Sequence, residues 1–382
     1  MTWLCFACFS LYNQSVPKVS SDVLVIGGGP AGIMASILAC KGRDVTLLEK
    51  PSKVNSIGRR ILVSGNGRAN FFNVDLLQEG LFPEYDFLFR DSRHDYAKDF
   101  LEYLSKEGFA YTKEGRLYYP FFRRSECLHA FLLDKMKGVS ILYKKAIHID
   151  RENRLVYAED GSVFSYVDLV IATGGRSFDR KDFSYGLMDD LGVSYIPFKP
   201  MLCPVRTKER IPVYLARQRL RGCLHLLSDG KEIYHEEGEL LFKDDGLSGI
   251  ALFDSTKFLL DEKDGKKFEY VFDYATGLKE ETLLSCYPSF LRRYLSENGI
   301  SPRAPLKFTF RELYPFEESQ ASHGGIRLAE INPQTLSLKK DRHIYALGEM
   351  LDVNFICGGY HIGSAFIEGY RVGKELEGNH GI

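Results

Sequence analysis

The sequence predicts an α/β fold in which a doubly wound, Rossmann-type dinucleotide-binding domain is interrupted by a second, inserted domain. Three observations lead to this prediction. Residues 23–26 form an aliphatic run typical of a buried parallel strand, and glycines follow at once. A helical pattern and a second strand pattern then complete a β-α-β unit ending at Glu49. Strands that run into glycines recur at residues 168–175 and 344–349, on either side of a stretch of different character.

Composition excludes several classes of protein. With 45% hydrophobic and 13% aromatic residues, a chain of 382 residues can bury one large core or two ordinary ones. The 50 basic and 51 acidic residues nearly cancel and are spread along the chain, so no nucleic-acid or membrane partner is expected. No segment has the roughly 20 apolar residues of a membrane span. We therefore expect a cytoplasmic protein that acts on a small-molecule substrate.

The cysteines and the start of the chain predict no special site. Eight cysteines are too few and too irregular for a disulfide scaffold, which fits a reducing compartment. Cys5 and Cys8 have CxxC spacing, but no second pair or histidine cluster accompanies them, and so no metal site is predicted. The apolar stretch at residues 3–11 lacks the basic region and the length of a secretory signal.

The domain division follows from where the glycine-rich signals stop and return. It comprises a flexible extension at 1–20, a discontinuous dinucleotide-binding domain at 21–194 and 323–382, and an insert at 195–322. Within the insert, short strand patterns precede a helical pattern at 281–298. Residues 58–73 are rich in glycine, asparagine and arginine and are predicted to be an irregular functional loop. Other predicted elements are helices at 96–108 and 127–137, short strands over 139–149 and 155–166, and a buried strand at 168–172.

The first glycine turn fits GxGxxG, and each glycine has its own task. Gly27 permits the tight turn, Gly29 lets the backbone approach a pyrophosphate, and Gly32 lets helix and strand pack closely. Pro30 and Ala31 begin a helix whose free N–H groups and positive dipole end face the phosphates. The alternative is a glycine turn that binds nothing.

An acidic residue completes this unit. Glu49 stands seventeen residues past Gly32 at the end of the second strand, where a carboxylate accepts hydrogen bonds from the adenosine ribose. Lys50 follows it and is assigned to the same site. Strand, glycines, helix, strand and acid in register favour a bound dinucleotide over an idle turn.

Three more segments are predicted to meet the same ligand. The strand at 168–172 leads into Ala172, Thr173, Gly174 and Gly175. In large flavoproteins a second segment of the chain passes close to the cofactor at such a strand end. An ordinary strand-end turn is the alternative. The C-terminal segment contributes Gly348, Glu349, Gly358, Gly359, Tyr360 and Ile362. Its strand end suits the ribityl chain, and the following helix aims its positive end at the flavin pyrimidine, which favours the anionic reduced flavin.

The arginine-rich segment is the fourth. It offers guanidinium, hydroxyl and amide groups on a chain that glycine allows to lie flat against a ligand, from Arg59, Arg60, Ser64, Gly65 and Asn70. Arginine suits a pyrophosphate or an anionic substrate, and a solvated basic loop is the alternative. Ala146 completes the predicted cofactor contacts.

The order of these motifs resembles a known family. The strings GGGPAG, GRRILVSGNGRANFFN, ATGGRS, GELLFKDDGLSG, FEESQASHGG and GEMLDVNFICGGYHIG, between Ser21 and Glu377, are similar to the BaiN-type family of bacterial NAD(P)/FAD-dependent oxidoreductases, which includes aminoacetone oxidases. The resemblance implies a bound FAD on a Rossmann-type domain and an insert made of a small β-barrel with helices. The chain departs from the family pattern at Ala69, His323 and His361, changes that affect the substrate more than FAD binding.

The predicted function is that of an FAD-dependent oxidoreductase. A reduced nicotinamide, NADH or NADPH, passes hydride to flavin N5, and the flavin passes it to an organic acceptor or to oxygen. No second GxGxxG is present, so the nicotinamide is expected to be a transient cosubstrate. His361 is the predicted catalytic acid and His323 a second candidate for that role, with purely structural histidines as the alternative. Cys357 is interpreted as a cysteine packed against the cofactor, with a redox thiol as the alternative.

Two other functions stay open at this stage. One is a nicotinamide-independent flavoenzyme, either fumarate-reductase-like or amine-oxidising, since ATGG, HGGI and ALGE occur in similar order there. The other is an FAD-containing binding or RNA-associated protein. The formal net charge of −1 argues against the second, because that role requires a concentrated basic surface.

Overall fold

The computed structural model describes residues 18–54, 56–177, 183–261 and 265–378. Cys5 and Cys8, and most of the predicted extension at 1–20, lie outside these ranges. Residues 18–20 are already part of the first strand, because they pair with residues 163–165 of a neighbouring strand.

The elements are numbered in chain order. The strands are β1 Lys18–Ile26, β2 Val45–Glu49, β3 Phe72–Asn73, β4 Tyr111–Glu114, β5 Leu117–Pro120, β6 Ser140–Tyr143, β7 Ala146–Asp150, β8 Leu155–Ala158, β9 Val163–Ile171, β10 Tyr195–Met201, β11 Val205–Thr207, β12 Arg219–Ser228, β13 Lys231–Phe242, β14 Gly246–Ser248, β15 Phe268–Asp273, β16 Leu306–Leu313, β17 Ala321–Ile326, β18 Ser337–Leu338 and β19 Asp341–Ala346. The helices are α1 Pro30–Ala39, α2 Arg59–Val63, α3 Asp86–Phe89, α4 Tyr96–Lys106, α5 Ser125–Lys135, α6 Gly186–Leu191, α7 Ile250–Phe253, α8 Ser255–Asp261, α9 Ser289–Glu297 and α10 Tyr360–Gly378.

An eight-stranded sheet carries the predicted Rossmann-type domain. Its path runs β18-β19-β9-β1-β2-β6; the five strands from β19 to β6 are parallel to one another, and β18 pairs with β19 in the antiparallel direction. The β7-β8 hairpin joins the sheet through an antiparallel pairing of β8 with β9. β1 is central, and its Val23, Leu24 and Val25 are fully buried, as an aliphatic run in a parallel sheet requires. The long helix α10 packs along α1.

The inserted β-barrel is also confirmed. Six antiparallel strands close in the order β11-β14-β13-β12-β15-β16 around fully buried side chains such as Phe242, Tyr270 and Phe308. The antiparallel pair β10 and β17 carries the chain into the barrel and out again, and the predicted domain boundaries at 195 and 322 fall within this pair.

Several predicted elements are shifted or wrong. The helix predicted over 281–298 begins only at Ser289, because Pro288 lacks the N–H that a continuous helix would need there. The loop at 58–73 contains the short helix α2, held by its fully buried Ile61. The separate strand predicted at 168–172 is the end of β9. The helices predicted at 96–108 and 127–137 are confirmed as α4 and α5, the latter two residues earlier.

Within the described ranges the chain has neither a membrane-spanning helix nor a cluster of metal ligands. None of the helices in these ranges combines the length and the apolar character needed to cross a membrane. In the described part of the chain, no group of three His, Cys, Asp or Glu side chains is arranged to hold a metal ion.

Candidate active site

A large cleft lies between the sheet and the barrel and is lined by residues of both. It has a volume of about 1750 Å³ and begins at the carboxyl ends of β1, β2, β9 and β19, where ligands bind in open α/β sheets. It continues to β12, β13 and β14 of the barrel and to the turn that precedes α10. The cleft therefore has a sheet side, made of strand ends and glycine turns, and a barrel side.

The first glycine turn is shaped for a ligand. Gly27 has φ +107°, and a Cβ there would lie 2.4 Å from the Ala172 carbonyl oxygen; a Cβ on Gly32 would lie 2.0 Å from the Gly27 oxygen. The packing of the protein itself therefore requires these two glycines. At Gly29, by contrast, the nearest atom to a Cβ is 3.9 Å away, so the space beside it opens into the cleft.

The helix that follows adds an anion site. α1 begins at Pro30, and no side chain caps its N-terminus, so the N–H groups of its first turn remain available to a ligand. An open position at Gly29 beside uncapped amides fits the pyrophosphate of FAD.

Glu49 has two roles in this turn. Its Oε2 accepts a hydrogen bond from the Gly28 N–H at 2.6 Å, and its Oε1 accepts one from the Lys50 N–H at 3.1 Å. The carboxylate thus fixes the glycine turn against the end of β2 while it lines the cleft.

The Glu349 carboxylate connects three segments of the chain by hydrogen bonds. Its Oε1 accepts hydrogen bonds from the Ser322 N–H at 2.6 Å and from the Ser177 hydroxyl at 3.3 Å, and its Oε2 accepts one from the Gly175 N–H at 3.4 Å. The Ser322 hydroxyl in turn accepts from the N–H groups of Arg176 and Ser177. Ser322 was missed by the sequence analysis, because a lone serine at a strand end carries no signal.

The arginine-rich segment lies against the C-terminal glycines. The Asn73 side chain donates to the Gly358 carbonyl oxygen at 2.8 Å, and the Asn70 amide lies between the Phe72 carbonyl oxygen and the Gly359 N–H. Arg60 donates to the Ser177 carbonyl oxygen, whereas Arg59 is exposed. The solvated-loop alternative therefore describes the exposed Arg59, Gly65, Asn66 and Arg68, but not Arg60, Asn70 or Asn73.

Most of the predicted cofactor contacts come together in this cleft. Those that line it are Gly27, Gly29, Pro30, Ala31, Glu49, Lys50, Arg59, Arg60, Ser64, Gly65, Asn70, Ala146, Ala172, Thr173, Gly174, Gly348, Glu349, Gly358, Gly359 and Ile362. Three do not line it. Gly32 lies behind the first turn, Gly175 lies against Ser322 and Glu349, and the Tyr360 hydroxyl donates to Asp75 within a buried aromatic cluster.

His361 lines the cleft as a neutral side chain. Its Nε2 donates to the Phe355 carbonyl oxygen at 2.9 Å, since a carbonyl can only accept. Burial lowers the pKa of the imidazole, although the nearby Glu349 carboxylate opposes this shift. Neutral imidazole has a single N–H, and here that N–H is engaged by Phe355.

The barrel side of the cleft is lined by side chains that the sequence analysis did not assign. They are Arg219, Glu236, Glu237, Glu239, Ile250 and Asp254. Burial raises the pKa of the Asp254 carboxyl and, more strongly, that of the neighbouring Cys357 thiol. Part of the barrel side of the cleft is formed by the two ends of the motif GELLFKDDGLSG, to which the sequence assigns no function. Asp254 lies outside every motif.

Comparisons with known proteins agree with this architecture. The model of the HI0933-like protein Rossmann domain matches residues 21–375. A 3-dehydro-bile acid delta(4,6)-reductase of Clostridium scindens is 24% identical, with 92% of this chain and 97% of that protein covered. A ribosomal RNA dihydrouridine synthase of Escherichia coli is also 24% identical, with 93% and 98% covered.

A solved structure shows the same fold. The 3-ketosteroid-delta4-(5alpha)-dehydrogenase of Rhodococcus jostii, in complex with 4-androstene-3,17-dione, superposes with a TM-score of 0.50 at 15% identity and covers 96% of this chain and 99% of that one. The strand order, the barrel insert, the glycine-lined cleft and a family match over almost the whole chain lead to one conclusion: this chain belongs to the HI0933-like family of FAD-binding Rossmann proteins.

Proposed function

We propose that this FAD-dependent oxidoreductase adds two hydrogens across a carbon–carbon double bond conjugated to a carbonyl group, with NADH or NADPH as the hydride source. The observation that carries the proposal is the continuity of the cleft, since glycine turns at one end and barrel side chains at the other line a single space of about 1750 Å³. When bound, FAD accepts hydride at N5 from the nicotinamide and delivers it to the acceptor.

The sheet side would hold the cofactor. The amides at Gly29 and at the start of α1 bind the pyrophosphate, and Glu49 accepts from the adenosine ribose. Asn70 and the turn at Gly358 and Gly359 lie where the ring system would be placed. The positive end of the α10 dipole points toward that turn and stabilises negative charge there during hydride transfer.

The relatives support the choice of an activated alkene. The name of the C. scindens relative describes reduction of double bonds in a 3-keto compound. The name of the E. coli relative describes reduction of the uracil ring double bond in RNA. In both, the double bond is conjugated to a carbonyl group, which makes its far carbon electrophilic toward hydride. The two names therefore support the same reaction class for this chain, although the two substrates differ.

The nicotinamide would use the same cleft. Cationic side chains line the sheet side and offer contacts to nicotinamide phosphates, among them Lys50, Arg59, Arg60 and Arg68. Because the nicotinamide and the acceptor bind in the same cleft, the nicotinamide leaves before the acceptor enters, and the two half-reactions alternate.

Anaerobic stopped-flow spectroscopy tests the proposal. We expect NADH or NADPH to bleach the flavin absorption of the holoenzyme, and a cyclic enone to restore it in a second mixing step. An oxidised spectrum that neither nicotinamide changes would contradict the nicotinamide link. If dithionite-reduced enzyme then reduced a conjugated acid such as fumarate, the nicotinamide-independent alternative would replace it; bleaching by amines alone would support amine oxidation.

A second candidate, reduction of uridine in RNA, is favoured by an exposed aromatic pair. Phe121 and Phe122 are 60% and 74% exposed, with ring centroids 5.3 Å apart, and Arg124 follows them. The hydrogen bond from Ser125 to the Leu62 carbonyl oxygen connects this segment to the arginine-rich segment of the cleft. Exposed rings stack on bases, and arginines bind phosphates. Salt-sensitive binding of a uridine-containing RNA that is lost on F121A/F122A would support this candidate.

A further inference from the structure

Asp254 lies where the barrel meets the C-terminal glycine segment. It is placed between α7 and α8 of the insert and lines the cleft. Its Oδ1 accepts a hydrogen bond from the Cys357 N–H at 2.6 Å. Because Cys357 directly precedes Gly358 and Gly359, this carboxyl group lies beside the turn that faces the proposed ring site.

The surroundings of Asp254 favour its protonated form. Among the residues that the structure describes, it forms no ion pair. The titratable groups that face it are Glu236 and Tyr234 of β13, together with Cys357 and Tyr360. Burial raises the pKa of the carboxyl group and the negative charge of Glu236 raises it further, while the hydrogen bond from the Cys357 N–H lowers it only in part.

The other titratable groups at this segment are poor proton donors. The single N–H of neutral His361 is held by the Phe355 carbonyl oxygen. The positive charge of Lys257 also lowers the pKa of this imidazole. The Cys357 thiol, whose pKa is raised well above its ordinary value by burial, holds its proton too tightly to act at neutral pH. The Tyr360 O–H donates to Asp75 and the Tyr234 O–H to the Ala251 carbonyl oxygen, and Glu236 is exposed. Among the described residues that face this junction, this leaves Asp254 as the half-buried carboxylic acid.

We propose that Asp254 is the proton donor of the acceptor half-reaction. Hydride with its two electrons adds to the alkene carbon far from the carbonyl group, the π electrons move toward the carbonyl oxygen, and the Asp254 proton is delivered to the carbon next to the carbonyl. The acceptor gains two hydrogens, the reduced flavin is oxidised, and the carboxylate takes its next proton from solvent. This assignment rests on the proposed function.

The main variant is Asp254→Asn, because its amide oxygen can still accept from the Cys357 N–H. The matched control is Asp244→Asn, an exposed aspartate in the β13–β14 turn outside the cleft. Both variants should be reduced by NAD(P)H as fast as the wild type. Hydrogen transfer to the enone should fall about 100-fold in Asp254→Asn alone. In the wild type this transfer slows as the pH rises through the pKa of Asp254, and the variant lacks that dependence.

Two further readouts keep this test independent of the proposed function. Dithionite-reduced enzyme bypasses the nicotinamide, so a failure of NAD(P)H reduction leaves the acceptor step measurable. In the apoprotein, the infrared difference spectrum between Asp244→Asn and Asp254→Asn should contain the C=O band of a protonated aspartate above its ordinary titration range; the band of protonated Glu368, which both variants retain, cancels. Equal slowing of both half-reactions in Asp254→Asn, or absence of this band from the difference spectrum, would overturn the assignment.

Discussion

The sheet side and the barrel side of the cleft are built on different principles. On the sheet side, the cleft is formed mainly by backbone amides and by glycines, as at Gly27 and Gly29. On the barrel side, ionisable side chains of the insert line the cleft, among them Arg219, Glu239 and Asp254. A backbone site requires glycines at fixed, short spacings along the chain. A side-chain site is assembled from residues that lie far apart in the sequence. The first can therefore be recognised in a sequence, and the second depends on tertiary structure.

The largest expected effect separates two glycines of the same turn. Gly32→Ala places a methyl group 2.0 Å from the Gly27 carbonyl oxygen, where only backbone could move, and should destabilise the fold by about 3 kcal/mol. Gly29→Ala meets no protein atom closer than 3.9 Å. It should change the unfolding free energy by less than about 1 kcal/mol and weaken FAD binding about tenfold or more.

Urea denaturation of the apoproteins and flavin titration separate the two effects. The comparison of the two sides would break if Gly29→Ala bound FAD as tightly as the wild type, because the open space beside Gly29 would then not belong to the ligand. Wild-type stability in Gly32→Ala would show that helix and strand can separate without cost.

This division explains what the sequence could predict. The β-α-β unit and the four glycine-rich segments were recognised because their positions follow from local chain geometry, and the structure brings them to one cleft. The start of α9 at Ser289 is also set by a local signal, the missing N–H of Pro288. Asp254 had no local signal. It meets Cys357, 103 residues further on, only because the barrel folds back onto the sheet domain.

The next effect tests a buried acid on the sheet side. Glu368 is 1% exposed, and burial raises its pKa from 4.5 to about 7, while hydrogen bonds from Ser364 and the Gly348 N–H lower it only in part. Between these two values the folded chain keeps a proton that the unfolded chain releases, so stability falls as the pH rises and levels off above about 7. The total loss is about 3 kcal/mol.

Glu368→Gln mimics the protonated form and should remove this loss. The variant should match the wild type at about pH 4.5 and exceed its stability by about 3 kcal/mol at about pH 8, measured by urea denaturation. Ser364→Ala is a useful comparison, because it removes one hydrogen bond and leaves the titrating group. A wild type whose stability does not change with pH relative to Glu368→Gln would show that the carboxyl group titrates normally.

The smallest effect on stability tests whether the barrel side serves the acceptor alone. Arg219 and Glu239 form an ion pair whose side chains are 60% and 52% exposed, so its removal should change the unfolding free energy by less than about 1 kcal/mol. Because both residues line the cleft, R219A/E239A should alter the KM for the acceptor while FAD affinity and the rate of reduction by NAD(P)H stay unchanged. The control is R293A/E297A, which removes a similarly exposed pair on α9 of the insert. If R219A/E239A weakened FAD binding as much as acceptor binding, the two sides of the cleft would not divide the labour in this way.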